Sequence, residues 1–135
     1  MRGLAVAVAV LAATAGCGDG ARKAAPARCI VRIYFCTQIT CGRTATKGEV
    51  AALARRLRED ADVYSVRFVD KREALEIMRR RHPDMVRDLP ANPFPDSLRV
   101  RPVAGVGGRA IRAKARPGAG GVETVKSPRN DACRA

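Results

Sequence analysis

Residues 62–102, "DVYSVRFVDKREALEIMRRRHPDMVRDLPANPFPDSLRVRP", hold two strand patterns separated by a helical stretch and a proline-rich connector. Tyr64, Val66 and Phe68 alternate with Ser65 and Arg67, the two-residue period of a strand. "DKRE", Asp70 to Glu73, is a capping box that opens a helix carrying Leu75, Ile77 and Met78. Pro83 stops it, because proline has no amide proton to give to the preceding turn. Residues 84–89 read as a short helical turn with Met85, Val86 and Leu89. In "NPFP" the two prolines fix φ near the extended region and push Asn92 and Phe94 out of the helical one. The result is a stiff connector that displays Phe94. "SLRVRP" then resumes a strand, with Leu98 and Val100 inward.

Upstream, "CIVRIYFC" (Cys29 to Cys36) is β-branched and aromatic and reads as a strand buried on much of both faces. Tyr34, Phe35, Tyr64 and Phe68 all fall in strand patterns that read as core. A loop, "TQITCGRTA", leads to a capping box at Thr46 to Glu49 and a helix to about Glu59, with Val50, Leu53 and Leu57 on one stripe. Downstream, residues 108–116 form a weak helix between glycines, and residues 122–126 supply a fourth strand.

The order is β-α-β, a helical insert, then β-α-β. Such a pattern predicts an α+β domain: a ferredoxin-like sheet lobe with a small helical insert lobe between strands 2 and 3. That topology sets strand 4 antiparallel beside strand 1, bringing the start of strand 1 near the chain after strand 4. It favours a Cys29–Cys133 bridge and leaves Cys36–Cys41 to pin the loop after strand 1; the other two pairings of these four cysteines stay open.

The domain boundaries follow from composition. Residues 1–16 contain a thirteen-residue apolar run, "GLAVAVAVLAATA", too short to span a bilayer, which needs about 20 residues. It fits the core of a secretory signal. "TAGC", Thr14 to Cys17, resembles a lipobox that makes Cys17 a lipidated first residue, whereas "ATA", Ala13 to Ala15, suits ordinary secretion. Of the five cysteines, removing Cys17 leaves four, an even number suited to disulfides outside the cytosol. The lipoprotein reading is therefore favoured, with free secretion as the alternative. Residues 17–28 read as a tether, 29–127 as the domain with its insert lobe at 71–97, and 128–135 as a tail.

The chain has 26 Lys+Arg against 13 Asp+Glu, a formal net charge of +13. From Ser97 to Val122 there are six basic residues and no acidic one. Such a balance suits a nearby anion: nucleic acid, an anionic membrane surface or an acidic polymer. Nucleic acid is disfavoured, because the aromatics fall in strand patterns and no recognition helix is present. Catalysis is disfavoured too. His82 is the sole histidine, in "HPD" at a helix end, and nothing sets a serine or cysteine beside it. The cysteines lack the paired C-x₂-C spacing of a zinc site. No cofactor, metal or small-molecule substrate is expected.

Residues 30–102 resemble the extracellular domain of FtsX, the permease-like bacterial cell-division protein. "IVRIYFC" is similar to its opening strand, and the Cys36/Cys41 loop to one that carries a disulfide in actinobacterial members. The run from 62 to 102 matches most closely: Asn92, Pro93, Pro95, Ser97 and Val100 sit on the family pattern, with Phe94 in place of a common leucine. The resemblance implies two lobes whose cleft and apolar face bind peptidoglycan hydrolases or their coiled-coil activators. It implies a non-catalytic binding module, with candidate contacts Leu75, Met78, Met85, Leu89 and Phe94. The family's four membrane-spanning helices have no counterpart here, since no segment after the signal is apolar enough to span, so the chain reads as a stand-alone ectodomain anchored to the cell membrane through Cys17. The alternative is a basic envelope structural or anion-binding lipoprotein that uses the Ser97–Val122 stretch and has no hydrolase partner.

Overall fold

A computed structural model describes residues 24–128 and Cys133. Four strands, β1 (Val31–Phe35), β2 (Val63–Val69), β3 (Ser97–Pro102) and β4 (Val122–Lys126), form one antiparallel sheet in the order β2-β3-β1-β4. Helix α2 (Lys47–Glu59) connects β1 to β2, and α5 (Gly108–Ala115) connects β3 to β4. This is the expected split β-α-β arrangement. Between β2 and β3 lie α3 (Lys71–Arg81) and the four-residue α4 (Pro83–Val86).

The register explains the core. Ile33 lies opposite Leu98 on one side and Val125 on the other, and Val31 lies opposite Val100. Side chains alternate across a strand, so these all point to one face, where α2 adds Val50, Leu53, Ala54 and Leu57 and α5 adds Ile111 and Ala115. Each fully buried large side chain there, such as Phe35, Ile33 or Leu57, stabilises by about 1.5–3 kcal/mol.

The first strand is buried on one face only: Val31, Ile33 and Phe35 are inside, while Arg32 is exposed and Tyr34 half-buried. Phe35 is the only one of the four strand aromatics in the core, and Tyr64 and Phe68 are each 41% exposed. Two local causes account for this. The pairing of β2 with β3 slips between Val63 and Ser65, so Tyr64 is the extra residue of a bulge. Phe68 faces the helices opposite Leu98, but β2 is an edge strand, and between Phe68 and Val50, Ala51 and Ala54 of α2 an open cleft remains.

Both capping residues act as expected. Thr46 Oγ1 accepts from Glu49 N and the Glu49 carboxylate accepts from Thr46 N, at 3.1 and 2.8 Å. Asp70 accepts from Arg72 N and Glu73 N, but Glu73 pairs with Arg67 of β2 rather than reaching back to the cap. The segment after β1, expected as a loop, contains a one-turn helix, α1 (Gln38–Cys41), capped by Thr37.

Cys29 is bonded to Cys133 across 104 residues and Cys36 to Cys41 across five. Part of the expected tether belongs to the domain. Ala27 is buried and donates to Pro102 O at 2.8 Å, and Pro26 bridges to Val103. The expected signal, Cys17 and most of the expected tail lie outside the described residues. Among the described residues, no helix is long and apolar enough to cross a membrane, and no group of His, Cys, Asp and Glu is arranged to hold a metal ion.

Candidate partner-binding surface

The connector that holds Phe94 is fastened to the first residue of α3. Asn92 Nδ2 donates to Lys71 O at 2.7 Å, and Lys71 N donates to Asp96 Oδ1 at 2.9 Å. Asn92 Oδ1 also accepts from Phe94 N, closing the local turn. Both backbone groups of Lys71 are therefore held by side chains of the returning chain. Proline rigidity, seen in the sequence, is one half of the strut; these two long-range hydrogen bonds are the other.

Two clefts flank this junction and share Lys71 and Asp96. The larger, about 650 Å³, is walled by Val50, Ala51 and Ala54 of α2, with Phe68 at the sheet edge and Lys47, Arg58 and Arg72 contributing cationic groups. The smaller, about 290 Å³, lies between the connector and the loop after β1, with Phe94 on one wall and Ile39, Thr44 and Ala45 also lining it. Ile39 is 90% exposed. That loop is held by the Cys36–Cys41 bridge and by a bidentate pair, Arg43 Nη1 and Nη2 to Glu49 at 2.9 and 2.8 Å. The Arg43 guanidinium, with the Thr46 backbone amide, lowers the Glu49 carboxyl to about 2. Gly121 fits close against the same corner: its φ is +75°, and a Cβ there would meet Ala45 Cβ at 2.7 Å.

The structure divides the five candidate contacts. Phe94 lines the smaller cleft and is half-buried. Leu75 and Met78 are half-buried on α3, while Met85 is 68% and Leu89 39% exposed, and neither of these two lines a cleft beside the strut. Two apolar side chains the sequence reading did not nominate, Phe68 and Ile39, stand at the clefts. Alternation marked Phe68 as core, because its edge position depends on strand order; Ile39 sat in a loop with no periodicity to read.

The basic stretch from Ser97 to Val122 does not make one surface. Arg99 and Arg101 lie on the sheet face away from the helices, whereas Arg109, Arg112 and Lys114 are on α5 and Arg116 caps it. Lys114 is neutralised by Asp60 and Asp62 at 2.8 and 3.0 Å, and these two pairings raise its pKa. Arg112 donates to Val125 O.

Comparison with known proteins places the fold. Residues 29–132 match the FtsX extracellular domain family. The crystal structure of extracellular domain 1 of FtsX from S. pneumoniae, in complex with undecyl-maltoside, superposes with a TM-score of 0.55 at 23% identity, covering 73% of this chain and 92% of that one. The solution structure of the large extracellular loop of FtsX in Streptococcus pneumoniae gives 0.57 at 22% identity, covering 73% and 98%. Among curated proteins none matches this chain.

Proposed function

The chain belongs to the FtsX extracellular domain family, a non-catalytic domain family that in general binds hydrolase activators, and on that premise we propose that it is a lipid-anchored extracytoplasmic module recruiting or regulating a peptidoglycan hydrolase, or the coiled-coil activator of one, in cell division. The observation that carries this reading is the apolar surface left uncovered around the insert. Of α3 and α4 only Val86 is fully buried, while Met85 and Leu89 are exposed and Phe68, Ile39 and Phe94 line the neighbouring clefts. An amphipathic helix offers a matching apolar stripe, and Met and Phe are suited to adaptable or anchoring contacts with it. The cations near the larger cleft favour a helix with acidic flanks.

Capture of purified candidate hydrolases and activators tests it. Phe94→Ala and Met85→Ala are expected to weaken capture by tenfold or more each. The reading fails if both leave capture unchanged while Arg109→Gln/Arg112→Gln/Arg116→Gln abolishes it. Mass spectrometry of the mature N-terminus tests the anchor: lipid on Cys17 supports it, and an unmodified chain starting at Gly16 excludes it.

A further inference from the structure

The sheet face turned away from α2 and α5 carries a row of cations that crosses every strand. Arg67 of β2 lies opposite Arg99 of β3, Arg99 opposite Arg32 of β1, and Arg32 opposite Lys126 of β4. Adjacent strands are about 4.8 Å apart, so four cationic side chains stand within roughly 15 Å. Like charges directly opposite each other across strands are destabilising. Among the described residues, Glu73 relieves the row at its edge by pairing with Arg67. Lys126 Nζ lies over the Tyr34 ring, 5.5 Å from its centroid, which holds that ammonium at the sheet. Arg101 adds a further cation diagonal to Arg67 and opposite Ser65. Arg32, Arg67, Arg101 and Lys126 are exposed.

We infer that this face docks the domain on an anionic bilayer surface, with the guanidinium groups of Arg32, Arg99 and Arg101 on lipid phosphates. Guanidinium forks match phosphate oxygens in pairs, and several phosphates offset the mutual repulsion of the row. A soluble polyanion offers the same phosphate chemistry, but two neighbours of Arg32 favour the bilayer. Tyr34 flanks it along β1, and Ile30 lines a shallow depression with Ser65, Arg67, Arg99 and Arg101. An aromatic and an aliphatic side chain among cations gain from an interface that has apolar depth, and gain nothing from a hydrated polymer. The apolar clefts lie at the insert and on the helix side of the sheet, so lipid and protein partners engage different surfaces.

Co-sedimentation of the full chain with vesicles tests the inference. Residues 3–15 are apolar and can hold the chain on any bilayer, so the readout is the preference for phosphatidylglycerol-containing over purely zwitterionic vesicles. Arg32→Gln/Arg99→Gln/Arg101→Gln is expected to reduce that preference on the order of a hundredfold, roughly fivefold per cation. The charge-matched control Arg55→Gln/Arg80→Gln/Arg81→Gln keeps it, while Arg32→Lys/Arg99→Lys, which retains the charge and loses the forks, keeps only part of it. Equal loss in row and control variants would reduce the effect to net charge and overturn the assignment. So would the absence of a preference in the wild type, or capture of the wild type by soluble polyphosphate as tight as that by the anionic vesicles. Loss of hydrolase capture without loss of vesicle preference leaves this inference standing and counts only against the function proposed above.

Discussion

Helices α2 and α3 start alike, each with a capping side chain on its N-terminal amides, and run to 13 and 11 residues, yet α2 buries Val50, Leu53, Ala54 and Leu57 whereas α3 buries no residue fully. The difference lies in what each helix faces. Helix α2 lies on a sheet whose inner face carries Val31, Ile33, Phe35, Leu98 and Val100, so its apolar stripe is covered along its length. Helix α3 packs on four-residue α4 and a connector, which are too small to cover Leu75, Ile77 and Met78. Amphipathic pattern selects the face of a helix; the size of its partner decides how much of that face leaves water. In this molecule the sheet lobe supplies stability, and the insert keeps apolar area available.

This contrast is open to direct attack. The largest effect is expected from the bridge that closes the sheet lobe: Cys29→Ser/Cys133→Ser should lower unfolding stability by about 4–5 kcal/mol, against about 2 kcal/mol for Cys36→Ser/Cys41→Ser, since the longer loop restricts the unfolded chain more. Equal losses in urea titrations would contradict that ordering. Phe35→Ala should cost about 3–5 kcal/mol, while Val86→Ala, in the insert, should cost less than half as much. A comparable loss at Val86 would mean that the insert has a core of its own.

Cutting the strut should separate the lobes. Asp96→Ala removes an acceptor from Lys71 N and should cost about 1 kcal/mol. Amide exchange should speed up through residues 71–89 and stay unchanged in β1 and β3. Uniform acceleration would show one cooperative unit. Glu49 links α2 to the loop behind Phe94, and its carboxyl lies at about 2 in the folded chain against 4.5 ordinarily. Its contribution is therefore complete above about pH 4.5 and fades as pH falls towards 2. Glu49→Gln should flatten that limb of the stability-pH curve, and an unchanged acid limb would show that the pair contributes nothing there. The smallest effect is expected at Met85→Ala, within about 0.5 kcal/mol of wild type in the same titration, as befits an exposed side chain.

Much of the fold was legible because periodicity and caps are local. Thr46 with Glu49 and Asp70 with the amides beyond it start their helices, and the strands from Ser97 and Val122 run where alternation and turn residues put them. The candidate site was legible only in part. Phe94 and the proline strut stand out by residue type, whereas Phe68 at the edge, Ile39 on α1 and the tie from Asn92 and Asp96 to Lys71 join positions far apart in the chain.

The sequence alone determined the four strands and the helices other than α1, because backbone sterics, capping and side-chain period act within a few residues. It also set the β-α-β order that leaves few topologies open. Only the tertiary structure decided which strand lies at the edge, and so which apolar residues stay uncovered. It alone brought Arg67, Arg99, Arg32 and Lys126 into one row, since register is fixed by the packing of whole strands and no local pattern records it.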